Sequence, residues 1–222
     1  MEEFAELLSS LYDKRIDNIR RAKTTHLRYG FNAADIQFSI SNAVVIIYAN
    51  WEGFVKEAAS EYLQFINRQQ AAVEDLDEHY YTLLVDQYIE LKKTIGSKAV
   101  AIKRCCSLRE ALVRFPGFTT TVSTKSNANC DIVNGIFSRF AIEEIISVNT
   151  FGERLNRLLF FRHSIAHGSG TIRVTQKDID EFSLLVQDMM VMICEKLINA
   201  VSGSIWIRAD RRGAKEVSNS HV

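Results

Sequence analysis

The chain predicts an all-α fold, and three observations carry that expectation. A single proline and ten glycines in 222 residues leave few breaks, which favours long helices over a many-turned β protein. Apolar side chains recur at spacings of three and four through most of the sequence, the period of a helix with one buried face. Helix signals fall at the ends of those runs: Asn32 with Asp35 and Thr175 with Asp178 as starts, Gly30, Gly117 and Gly168 as stops.

Composition narrows the class further. Apolar residues are 47% and charged residues 24% of the chain, which suits one soluble globular core. The expected organisation is a single helical domain over residues 1–202 followed by a polar, basic, frayed tail over 203–222, with Arg208, Arg211, Arg212 and Lys215. Twenty-seven basic against 27 acidic side chains leave no net charge, so any polyanion site must be local. Cys105, Cys106, Cys130 and Cys194 form no CxxC pair, which points to a reducing compartment and away from a zinc knuckle. The start, MEEFAELL, is acidic and lacks a signal-peptide apolar run, and no stretch reaches membrane-spanning length without charge. A cytoplasmic protein with no membrane association is the expectation.

In chain order, residues 2 to about 28 carry Phe4, Leu8, Leu11, Ile16 and Ile19 at helical spacing, with a basic end that suits the helix dipole. Tyr29-Gly30-Phe31 ends that helix. The next, from about Ala33 to Asn67, repeats Val44, Tyr48, Trp51, Val55, Ala58, Tyr62 and Phe65 over roughly 50 Å and is the expected spine of a bundle. Glu52 and Lys56, four apart in NWEGFVKEA, form a surface ion pair in the simple interpretation; in the alternative Glu52 faces inward and holds an arginine. A third helix spans about Val73 to Ile95 with the stripe Leu76, Tyr80, Leu83, Leu84, Gln87 and Leu91, and a further one runs to Phe115, stopped by Pro116-Gly117. Residues 118–129, rich in Thr, Ser and Asn, suggest a long exposed loop or short hairpin. Helix returns from Asp131 to about Val148, with Ile132, Ile136, Phe137 and Phe140 on one side. After the segment SGTIRV, a last helix starts at Thr175 and carries Ile179, Phe182, Leu185, Val186, Met189, Ile193, Leu197 and Val201.

The stretch TFGERLNRLLFFRHSIAHG, residues 150–168, contains what folding alone would not ask for. Thr150 with Glu153 has capping-box spacing and Gly168 suits a left-handed stop. On the helical wheel Leu155, Leu158, Leu159, Ile165 and Ala166 form an apolar stripe with Arg162 in its middle, while His163 and His167 share one edge. A guanidinium on an apolar face needs a counter-charge, a second chain or a phosphate. Its surroundings are basic: between Phe151 and Thr175 stand Arg154, Arg157, Arg162 and Arg173 against Glu153 alone.

Three interpretations stay open on these residues. Arg162 is tied to an acid such as Glu52 and the histidines are ordinary; or His163 and His167 hold zinc, without the HExxH glutamate or a further ligand cluster; or histidine and arginine serve phosphoryl transfer. Arg162 and His167 are about 140° apart on an ideal wheel. One helix therefore converges them poorly, whereas two copies across a two-fold axis would gather two arginines and their histidines around a shared cleft.

RHSIAHG resembles the R-x4-H signature of the HEPN superfamily, with Arg162, His163, His167 and Gly168 each at a position of the pattern. The long early helix with its WEGF segment and the place of the motif on the penultimate long helix agree. The resemblance implies a HEPN-like antiparallel helical bundle with additional helices. It implies a metal-independent, cofactor-free endoribonuclease acting as a homodimer in a toxin or antiviral defence system, with an antitoxin or defence protein as partner. By that analogy His167 moves the proton, Arg162 binds the scissile phosphate, His163 assists, and Arg154, Arg157 and Arg173 contact RNA. Ser169 stands where toxins paired with nucleotidyltransferase antitoxins usually carry a tyrosine, which departs from that style of neutralisation. Some HEPN domains are instead non-catalytic dimerisation or nucleotide- or RNA-binding modules, and that is the alternative.

Overall fold

The computed structural model describes residues 1–90, 117–168 and 172–212. Among them are six α-helices and no strand: α1 (Glu2–Arg28), α2 (Ala33–Arg68), α3 (Glu78–Glu90), α4 (Cys130–Ser138), α5 (Val148–Ala166) and α6 (Gln176–Ser202), with one 3-10 turn at Val73–Asp75. The all-α expectation therefore holds. Parts of the expected third helix beyond Glu90 and the helix expected up to Phe115 lie outside the described residues.

The helix α2 is the spine. Tyr48, Trp51, Phe54, Val55, Ala58 and Tyr62 are sealed from solvent along it, and α1, α5 and α6 pack on its sides. Asn32 caps it by accepting a hydrogen bond from the Asp35 N–H, as its spacing predicts. The connection to α1 is short and the pairing antiparallel: Asn18 donates to Asn50 at 3.3 Å, and Arg15 meets Glu57 at 2.5 Å. Gly53 makes that second contact possible. A Cβ at this position would meet the Arg15 guanidinium at 2.7 Å, so a methyl there would push the arginine off its ion pair, and the glycine of WEGF has a packing reason. At the far end of the spine three polar groups are buried in series. Tyr80 donates to the Phe140 carbonyl at 2.7 Å, which leaves Tyr62 as the donor in the 2.7 Å contact between the two hydroxyls.

Four sequence expectations need correction. The helix expected from Val73 begins at Glu78, because Leu76 is drawn into an antiparallel bridge with Ile207 and the Asp77 N–H donates to the Trp206 carbonyl at 2.8 Å. The same contacts pack the chain after Ser202: Trp206 and Ile207 are buried, and Trp206 meets Phe65 edge-on at 5.7 Å. Residues 203–212 thus return onto the body where a frayed tail was expected. The helix expected to run on to about Val148 stops at Ser138. The turns that follow place Ala141 and Glu144 at positive φ, and the Asn134 amide clamps both the N–H and the carbonyl of Ile146 at 3.0 Å.

The fourth correction concerns residues 118–129, which are no free excursion. Phe118, Thr124 and Ala128 are buried. Asn67 on α2 accepts from the Phe118 N–H at 2.7 Å and donates to its carbonyl at 2.9 Å, and the Trp51 indole donates to the Ala128 carbonyl at 2.8 Å. Polar groups of the spine hold polar groups of the loop, so hydropathy alone does not reveal the attachment.

Candidate functional site

The site lies on the last turns of α5. That helix opens at Ser147, three residues before the expected cap, and no side chain caps it; Thr150 lies inside and donates to the Ser147 hydroxyl at 3.3 Å. Its other end is as expected. His167 closes the helix, its N–H bonding to the His163 carbonyl at 3.0 Å, and Gly168 follows at φ +66°, a conformation most tolerable without a Cβ.

Leu155 and Leu158 are fully buried, Leu159 and Ile165 partly so, and Ala166 is exposed. Arg162 is half-buried in line with them. It is not sealed against Glu52. Its guanidinium carbon lies 4.9 Å from the centroid of the Tyr48 ring, a cation–π distance. Among the described residues no hydrogen bond or ion pair uses its nitrogens. Glu52 instead takes the simple interpretation: Lys56 binds it at 2.8 Å and the Thr124 hydroxyl donates to it. Burial works against the Glu52 charge, but the hydrogen bonds from Lys56 and Thr124 and the Lys56 charge outweigh it and hold the carboxyl below its ordinary value.

His163 and His167 are exposed and stand together, ring centroids 4.3 Å apart and tilted by 53°. No hydrogen bond or ring contact joins them to Arg162 among the described residues. The single chain thus pairs the histidines and sets the arginine on the adjoining face, as the wheel suggests. Nor do the described residues gather three His, Cys, Asp or Glu side chains in a metal-ligating group.

The flanking arginines divide. Arg154 and Arg173 are exposed and carry no ion pair among the described residues. Arg157 is committed: it pairs with Glu181 at 2.7 Å and with Asp178, and its guanidinium lies 5.3 Å from the rings of Phe161 and Phe182. Asp178 is itself the capping-box residue of α6, accepting from the backbone and hydroxyl of Thr175. Desolvation opposes its charge, yet those two bonds and Arg157 hold its carboxyl below the ordinary value.

One participant was read only as core. Tyr48 belongs to the apolar stripe of α2 and nothing in its spacing marks it; its contact with Arg162 exists only once α2 and α5 are packed. The second such group is the 124–128 turn, whose Ser126 carbonyl accepts from the Tyr48 hydroxyl at 3.3 Å and whose Ala128 N–H donates to it at 3.0 Å.

An all-α bundle that presents Arg-His-x3-His-Gly at the exposed end of its penultimate long helix has the arrangement of a HEPN domain. The family model described as MAE_28990-like HEPN matches residues 4–204, nearly the whole chain, and the protein belongs to that family. Neither the curated proteins nor the solved structures yield a match. No helix among the described residues is long and apolar enough to cross a membrane.

Proposed function

We propose that this HEPN protein is a metal-independent endoribonuclease whose working unit is a homodimer. The carrying observation is the state of Arg162: held in place by an uncharged ring, with its nitrogens uncommitted among the described residues, one residue from an exposed histidine pair. A guanidinium kept in that way is suited to the equatorial oxygens of a phosphate. His167 takes the proton from a ribose 2′-hydroxyl. The 2′-oxygen attacks phosphorus, the bond to the 5′-oxygen breaks, and a histidine returns a proton to that leaving oxygen. The ends formed are a 2′,3′-cyclic phosphate and a 5′-hydroxyl. His163, its ring tilted against that of His167, orients it or supplies the second proton transfer. Arg154 and Arg173 meet flanking phosphates.

The dimer is supported by what one chain leaves apart. Arg162 and the histidines occupy adjoining faces without contact, and Phe160, on the histidine face at i, i+3 and i+7 spacing, is 61% exposed. Phe38 and Ile46 on α2 are exposed as well. A second copy that covered these residues across a two-fold axis would bring the arginine of one chain toward the histidines of the other. Membership of the family also favours a cytoplasmic role in a toxin or defence system, with a partner protein that restrains cleavage.

The test is cleavage of RNA and of sequence-matched DNA, with chelator present, by wild type and His167→Ala. RNA alone should be cut, and the variant should lose at least about 100-fold in rate while its sedimentation stays that of a dimer. Cleavage of both nucleic acids, or full activity in His167→Ala, would overturn the assignment. Binding without cleavage in the wild type would favour the non-catalytic alternative.

A further inference from the structure

Two opposite ways of holding an arginine occur on α5, and the difference between them carries an inference that rests on the ribonuclease reading above. A carboxylate grips a guanidinium by its N–H fork and cancels its charge. An aromatic ring holds it by the flat face and leaves the N–H edge and the formal charge intact. Arg157 is held the first way as well as lying by two rings. Arg162 is held, among the described residues, the second way alone, by Tyr48.

We propose that Tyr48 is the positioning residue of the site, aiming Arg162 at the scissile phosphate while keeping its charge uncommitted. The ring is a fixed support, 2% exposed within α2. Its hydroxyl is anchored between the Ser126 carbonyl and the Ala128 N–H at 3.3 and 3.0 Å, and the Trp51 indole ties down the Ala128 carbonyl at 2.8 Å. Glu52 lies one helical turn from Tyr48, and Lys56 and Thr124 engage it instead of Arg162. The 124–128 turn therefore does two jobs: it fixes the ring that holds the arginine, and through the Thr124 hydroxyl it engages the carboxylate one helical turn along α2.

A series of phenylalanine and mono-, di- and trifluorophenylalanine at position 48 isolates the ring face. Every member lacks the hydroxyl, so its loss is common to all, and fluorine withdraws electrons from the ring with little change of volume. The turnover rate on a single-stranded RNA oligonucleotide should fall stepwise with fluorine count, by roughly 2- to 30-fold across the series, with KM changing less than kcat. In parallel, the Nε–H proton resonance of Arg162 should carry a ring-current shift in wild type and Tyr48→Phe that vanishes in Tyr48→Leu; thermal unfolding shows that each variant is folded. A flat fluorine series in an enzyme that does cleave RNA overturns the positioning role and leaves the ribonuclease reading standing. A wild-type Arg162 resonance without the shift overturns the placement itself. A wild type that shifts but does not cleave overturns the ribonuclease reading, and the positioning role in cleavage with it.

Discussion

Arg157 and Arg162 sit five residues apart on one helix and do opposite things. Arg157 faces α6, where Asp178 and Glu181 meet it, and joins α5 to the capped start of that helix. Arg162 faces α2, where Tyr48 meets it, while Glu52 one helical turn along α2 pairs with Lys56 and Thr124. A guanidinium becomes a structural link or an uncommitted cation according to whether its neighbour brings a charge of its own. Equal charge in the sequence thus predicts neither role.

The largest expected effect separates the two directly. Arg162→Ala should lower kcat for RNA by about 100-fold or more with little change in unfolding temperature, whereas Arg157→Ala should lower stability and leave cleavage per folded molecule within about threefold of wild type. If both variants lose the same property, the distinction is wrong. Next in size is Asp178→Ala, which removes the capping box and one partner of Arg157 together. Urea unfolding should show a loss of about 1–2 kcal/mol, and the double variant with Arg157→Ala should lose less than the sum of the two singles.

Acid titration gives a smaller and more pointed contrast. The Asp178 and Glu52 carboxyls are held below their ordinary values of 3.8 and 4.5, so the unfolded chain takes up protons first as pH falls. The stabilisation is complete above those ordinary values and fades as pH drops through the lower folded ones. Stability measured between pH 5 and 2 should decline less steeply in Arg157→Ala, and keep its slope in Arg162→Ala, since no carboxylate among the described residues binds Arg162. The smallest effect concerns Arg154 and Arg173. Alanine at either should reduce the salt dependence of RNA binding by roughly 0.7 in the log–log slope; an unchanged slope would remove that arginine from the phosphate contacts.

How much was legible depended on the kind of signal. Helices α1, α2 and α6 were readable to within a residue or two because local chemistry decides their ends: the Asn32 cap, the Thr175–Asp178 box, and breaks at Tyr29-Gly30 and after Ser202. The start of α3 and the end of α4 were not, because partners distant in sequence decide them. Ile207 recruits the backbone of Leu76, and Asn134 clamps Ile146. The composition of residues 118–129 suggests an exposed loop for a related reason, since its anchors are hydrogen bonds to α2 that no periodicity records.

The sequence by itself determined that this is an all-α chain of the HEPN kind, that Arg162, His163 and His167 end a helix closed by Gly168, and that the two histidines share an edge. The HEPN kinship rests on the resemblance of RHSIAHG to the family's motif and on the family match over residues 4–204; the other features follow from the 3.6-residue repeat and from chain-local capping. Only the tertiary structure decided what each arginine does. Nothing within a few residues of Arg162 reveals that Tyr48, more than a hundred positions earlier, will lie under it while Glu52 is engaged elsewhere, because the partner of a side chain is set by helix packing, and packing joins residues without regard to their distance along the chain.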